Sequence, residues 1–206
     1  MASSSSPYGL RPINLLGGQG FAGSTRLYAI GSGYATAIQY GDPVVLAGGA
    51  AGTGGLINRF NATTTAGTTT ASATLLGVFV GVTYTDPTYG KVFKQNYTGG
   101  IVASDLQAYV VDDPDALFQV QFNGSATQNY LGSNASLIQT VAGSTGVNTI
   151  SGVGLSLASA TSTATLPIRV VDFVNGPTSS VGDAYTDVIV RINTHFMRTT
   201  TGNVIA

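Results

Sequence analysis

Chemistry in this 206-residue chain would have to be done with few tools. Its nine acidic side chains are all aspartates, it has one histidine, and glutamate and cysteine are absent. Thiolate nucleophiles and thiolate metal sites are therefore excluded, and proton transfer would fall to aspartate or to His195. The densest acidic group is Asp112, Asp113 and Asp115 in VVDDPDALF. Carboxylate oxygens at that density suit calcium or magnesium. The group lacks EF-hand spacing, however, and no glutamate closes it. Asp-Pro recurs at Asp42-Pro43 and Asp86-Pro87, which reads as turn chemistry with carboxylates capping backbone amides. Asp183 and Asp187, flanking Tyr185, read the same way. Cation binding at Asp112, Asp113 and Asp115 stays open at this level.

A serine–histidine–aspartate triad is arithmetically available, but no Gly-x-Ser-x-Gly elbow surrounds any serine. Zinc at His195 would have carboxylates as its only other strong ligands, an uncommon set. His195 is therefore expected to hydrogen-bond or pack at a strand end. Gly17, Gly18 and Gly20 lack the lysine and helix of a phosphate cradle. The Asn-x-Ser/Thr triplets at Asn61, Asn96, Asn123 and Asn134 follow from an Asn/Ser/Thr-rich composition. Ten scattered tyrosines without tryptophan read as packing and interface residues before sugar-stacking ones. The expectation is a protein that is not an enzyme and has no cofactor or metal.

Only 8% of residues are charged and the net charge is −1, against about 25% charged in ordinary soluble proteins. No basic cluster neutralises phosphates, so no nucleic acid is expected as partner. No apolar run approaches the roughly 20 residues of a membrane helix, and the N-terminus lacks a secretory pattern. The chain is expected to fold in a cytoplasm, without membrane contact. Neutral polar surface suits permanent contact with other subunits, where every buried charge would need a partner. The competing reading is a merely neutral β domain.

The elements that would position these residues centre on Leu75 to Phe122. Leu76, Val78, Val80 and Val82 alternate with Gly77, Phe79, Gly81 and Thr83, and Phe118, Val120 and Phe122 alternate with glutamines. A period of two predicts half-buried strands, taken here as one central sheet, with a close approach of another group at the glycines. Flanking strands are expected at Arg26–Ile30, Val44–Leu46, Leu56–Phe60, Val153–Leu157, Leu166–Val174 and Thr186–Thr194, with a short helix placed, if anywhere, in 125–141. The fold class is all-β: a β-sandwich or barrel-like domain with extended N- and C-terminal arms and at most one short helix. Its parts are an arm at 1–26, a β domain at 27–195 with low-complexity loops or arms at 47–74 and 143–163, and an arm at 196–206. Aromatic, arginine and apolar anchors in otherwise bland arms mark candidate partner-binding residues: Pro7, Tyr8, Leu10, Arg11 and Pro12, then Arg198 and Ile205. Deleting residues 1–20 is expected to spare the fold.

The blocks SPYGLRP, IQYGDPVVL, LLGVFVGVTYTDP, AYVVDDPDALFQVQ, TATLPIRVVDFV and GDAYTDVIVRINTH, in this order, resemble capsid cement (head-decoration) proteins of tailed bacteriophages, notably aquatic podophages and cyanophages. The resemblance covers most of the chain, least at 47–74 and 143–163, and carries no catalytic signature. It implies a structural protein on the outer surface of the virion, made in the host cytoplasm. Its partners would be the major capsid protein and itself, with a homotrimer favoured and a dimer open. A tail-fibre or receptor-binding β domain is the alternative, and copy number per particle separates the two. A major capsid subunit is disfavoured because a long spine helix is missing. A secreted hydrolase comes third.

Overall fold

Short runs of valine, isoleucine and aromatic residues, bounded by glycine, proline or aspartate, fold as thirteen strands among the described residues. The computed structural model describes residues 4–47, 54–61, 74–139 and 150–198. Within them helix is limited to single 3-10 turns at Gln128–Tyr130, Leu157–Ser159 and Phe196–Arg198. No helix among these residues is long and apolar enough to cross a membrane.

The strands are β1 (Arg11–Leu15), β2 (Arg26–Ala29), β3 (Pro43–Leu46), β4 (Ile57–Arg59), β5 (Gly77–Asp86), β6 (Gly90–Lys94), β7 (Gln107–Val111), β8 (Ala116–Gln121), β9 (Asn134–Ala135), β10 (Leu137–Gln139), β11 (Val153–Leu155), β12 (Ile168–Phe173) and β13 (Asp187–Ile192). One sheet has the order β1-β8-β13-β12-β9. A second has the order β2-β7-β5-β3-β4, with β6 also on β5, and β10 and β11 form a separate ribbon. Every strand pair is antiparallel. The architecture is all-β and sandwich-like, with open sheets rather than a closed barrel.

Two cores hold it together. The first takes Phe118 and Val120 of β8, Val188 and Val190 of β13 and Ile168 and Val170 of β12, together with Val78 and Val111 from the second sheet. The second lies against the second sheet and gathers Phe79, Val82, Ala108 and Val110 under Ile38, Tyr97 and Leu106. Strands β5 and β7 thus feed both cores, which is why β5 reads as almost continuously buried.

Three expectations need correction. The stretch 75–122 is not one sheet: β5, β6 and β7 lie in the second sheet, whereas β8 lies inside the first. The Asp112–Asp115 turn carries the chain between them. Nor do Leu76, Val78, Val80 and Val82 share a face. Phe79 pairs with Val110 and Gly81 with Tyr109, so Val80 is an inserted bulge residue that reverses the alternation. Val78 consequently enters the first core and Val82 the second. Finally, the described part of the predicted N-terminal arm, residues 4–26, is built into the domain. Leu10 is fully buried, and Arg11–Leu15 pairs along the edge of β8, whose backbone would otherwise stay unpaired.

The predicted close approach at the glycines is present. A Cβ on Gly77 would lie 2.2 Å from the Val111 carbonyl oxygen, and one on Gly81 2.7 Å from the Phe93 ring. In the described part of 125–141, residues 125–139, a single 3-10 turn precedes β9 and β10, because Ala135, Leu137 and Ile138 are taken into buried positions. Of the C-terminal arm, Phe196–Arg198 forms a turn, while Ile205 lies outside the described residues.

Candidate functional site

Alternation in the five-stranded sheet sends Ile168, Val170, Val188, Val190 and Ile192 inward, which turns Arg169, Ile189 and Arg191 outward. Antiparallel register then sets Arg169 directly opposite Arg191, and Arg191 beside Leu117 on the other flank. Two guanidiniums at directly opposed positions repel each other. Arg169 is held by its Nε, which donates to Asn134 Oδ1 at 2.9 Å. Arg198 swings back from the end of the described chain and forms an ion pair with Asp115. Burial holds the Arg191 guanidinium below its usual range, and the positive charges of Arg169 and Arg198 push the same way, partly offset by Asp115. Among the described residues neither Arg169 nor Arg191 enters an ion pair. Such an arrangement can receive a planar anion through parallel N–H donors.

At the N-terminal end of the same face, Arg11 lies over the Tyr8 ring, 5.0 Å from its centroid. The Tyr8 hydroxyl and Asp187 Oδ1 are both buried and neither closes a hydrogen bond. Burial drives the phenol well above its ordinary range, and the nearby Asp187 charge adds to this. Burial also raises the Asp187 carboxyl, while the nearby Tyr8 hydroxyl, the Gln119 amide and the charge of Arg11 act to lower it. Gln121 fastens the segment before Tyr8. Its Oε1 accepts from the Ser6 amide at 2.9 Å, and its Nε2 donates to the Ser4 carbonyl at 3.3 Å.

The residues singled out from sequence therefore separate. Tyr8 and Arg11 come together on the outer face of the first sheet, and Arg198 joins the Arg169–Arg191 pair. Pro12 sits half-buried in β1 opposite Phe118, and Pro7 is half-buried against Gly154. Leu10 cannot touch a partner, because its side chain is fully inside the first core. Sequence reasoning missed Arg169 and Arg191. The available signal was an arginine flanked by apolar residues in IRV and in VRI, each at an outward position of a strand.

The acidic turn is occupied by its own neighbours. Asp112 Oδ2 accepts from the Tyr28 hydroxyl at 2.6 Å and lies 3.4 Å from Arg26 Nη1. Burial and this carboxylate push the Tyr28 phenol up to about 12. Asp113 Oδ1 caps the Asp115 amide at 2.8 Å, as turn chemistry predicts. No group of three histidine or aspartate side chains among the described residues could hold a metal ion. His195 is fully buried; its Nδ1 accepts from the Met197 amide at 3.1 Å, and Nε2 has no partner. Burial lowers its pKa below the ordinary value, opposed mainly by Asp112.

Comparison with protein-family models, with curated proteins and with solved structures gives no match.

Proposed function

We propose that this chain is a structural subunit of a bacteriophage particle, a capsid cement protein that binds the outside of the head and clamps neighbouring major capsid subunits. The observation that carries this reading is the outer face of the five-stranded sheet. In a chain with so little charge, two half-buried arginines stand on paired strands and, among the described residues, enter no ion pair. A rigid face with unspent hydrogen-bond donors suits a stationary contact between subunits. The ordered blocks that resemble cement proteins point the same way, and a homotrimer is the favoured form, with a dimer as the other option.

The action is mechanical. A protein that binds a completed lattice better than its free subunits stabilises the lattice by linkage. An oligomer touching several shell subunits gains further through effective concentration. The test is to add purified protein to phage heads that lack it. Saturable co-sedimentation in hundreds of copies, with a higher temperature of shell rupture, is expected. Heads that neither retain the protein nor gain heat resistance would end this reading.

A further inference from the structure

We propose that Arg169 and Arg191 form a receptor for a carboxylate side chain presented by a protein partner. Antiparallel register places the two directly across β12 and β13, where like charges cost stability unless an anion lies between or above them. Arg169 is pre-oriented: with its Nε committed to Asn134 Oδ1, its terminal nitrogens remain for an incoming group. Both arginines are half-buried and flanked by half-buried Leu117 and Ile189, so part of their hydration is already lost. Arg198 brings a third guanidinium close by, with Asp115 already bound to it.

The surroundings favour a protein carboxylate over a polyphosphate. Asp115 and Asp187 interrupt the positive face, and the chain carries a net charge of −1, so no continuous basic track exists for a nucleic-acid backbone. One or two carboxylates set in an otherwise neutral surface match the arginine pair with its apolar flanks. The partner's identity as a shell subunit rests on the reading given above; the carboxylate chemistry does not.

The full chain is titrated with a hexa-aspartate peptide, with hexa-asparagine as control, while the Nε–Hε resonances of the arginines are followed by NMR. Saturable shifts at Arg169 and Arg191 with the acidic peptide alone are expected. Arg191→Gln and Arg191→Lys should each weaken binding by about tenfold or more, because both remove the planar fork. The free Arg191→Gln protein should unfold at the same temperature as the wild type or higher, since a repulsive pair is relieved; a purely structural arginine would give a drop. No shift at millimolar peptide, or equal shifts with the asparagine control, would overturn the assignment. So would tighter binding of a single-stranded oligonucleotide at the same two resonances. Peptide binding by a protein that ignores phage heads would support the carboxylate receptor while removing the cement reading.

Discussion

The amide of Leu10 donates to the carbonyl of Gly41 at 2.9 Å, and the Leu10 side chain is fully buried in the first core. This crossing is possible because Gly9 takes a φ of 75° and leaves no room for a side chain, with Gly41 oxygen 2.6 Å from where a Cβ would sit. The N-terminal segment is thus a component of the domain. Leu10→Ala should cost roughly 2–5 kcal/mol in urea unfolding, as a large-to-small change in a closed core. Deleting residues 1–20 should destabilise the domain as a whole, because β8 loses its edge partner along with Leu10. A truncated chain with the wild-type unfolding midpoint would contradict this placement.

Two glycines of β5 make a paired prediction. At Gly77 the obstacle to a Cβ is backbone, the Val111 carbonyl at 2.2 Å, in the ladder that joins β5 to β7. At Gly81 it is the Phe93 ring, 62% exposed and free to move outward. Gly77→Ala should therefore lose 3 kcal/mol or more, at or beyond the top of the ~1–3 kcal/mol range for overpacking. Gly81→Ala should lose about 1 kcal/mol or less, with Phe93 displaced from its edge contact with Tyr109. Chemical denaturation of both variants ranks them, and a reversed order would show that the β5–β7 ladder yields more easily than the ring.

Strands with clean alternation and well-marked turns, such as β8, β12 and β13, are legible in the sequence because each needs only its own residues to declare a buried face. The edge strand β1 is not: RPINL contains a proline and a bulge at Ile13, and Leu10 is one apolar residue among turn formers. Its burial depends on Gly41 and Val153, far along the chain. The bulge at Val80 hides in the same way, since an inserted residue leaves composition unchanged while exchanging the faces. Arg11 and Arg198 stood out as charges in bland segments. Arg169 and Arg191 did not, because their meaning lies in register, and register between β12 and β13 is a tertiary fact.

His195 gives the protein a pH signature. Its imidazole is fully buried, and burial lowers its pKa below the unfolded value of 6.5. The unfolded state therefore binds the proton more readily than the folded state. Stability is unaffected well above pH 6.5 and falls as pH drops from there towards the folded pKa, by at most about 1.4 kcal/mol per pH unit for one proton. Protonation also takes Nδ1 away as acceptor of the Met197 amide. His195→Asn can keep that hydrogen bond through Oδ1 and should flatten the stability profile below pH 6.5. Because this is the only histidine, an unchanged slope in the variant would locate the titration elsewhere.

Asp42 carries the opposite sign and allows a sharper test. It is 1% exposed; Oδ2 accepts from the Gln39 amide at 2.8 Å and Oδ1 from the Ser151 hydroxyl at 2.5 Å. Burial nevertheless dominates and raises its pKa above 3.8, against these hydrogen bonds and the charge of Arg59. A carboxyl with a raised folded pKa favours folding below its unfolded pKa and loses that contribution as pH rises through the folded value. At pH 7 the charge is thus a net cost borne for its two donors. Asp42→Asn can accept from Gln39 through Oδ1 and donate to Ser151 Oγ through Nδ2, so it should match or exceed wild-type stability at pH 7. Ser151→Ala instead strands the carboxylate and should cost roughly 1.5–3 kcal/mol, the range for a hydrogen bond to a charged group. Its deficit should shrink as the pH is lowered and Asp42 takes up a proton. Urea midpoints at pH 7 and pH 4 for the two variants decide the matter: an Asp42→Asn protein markedly weaker than wild type at pH 7 would mean that the Arg59 attraction outweighs desolvation.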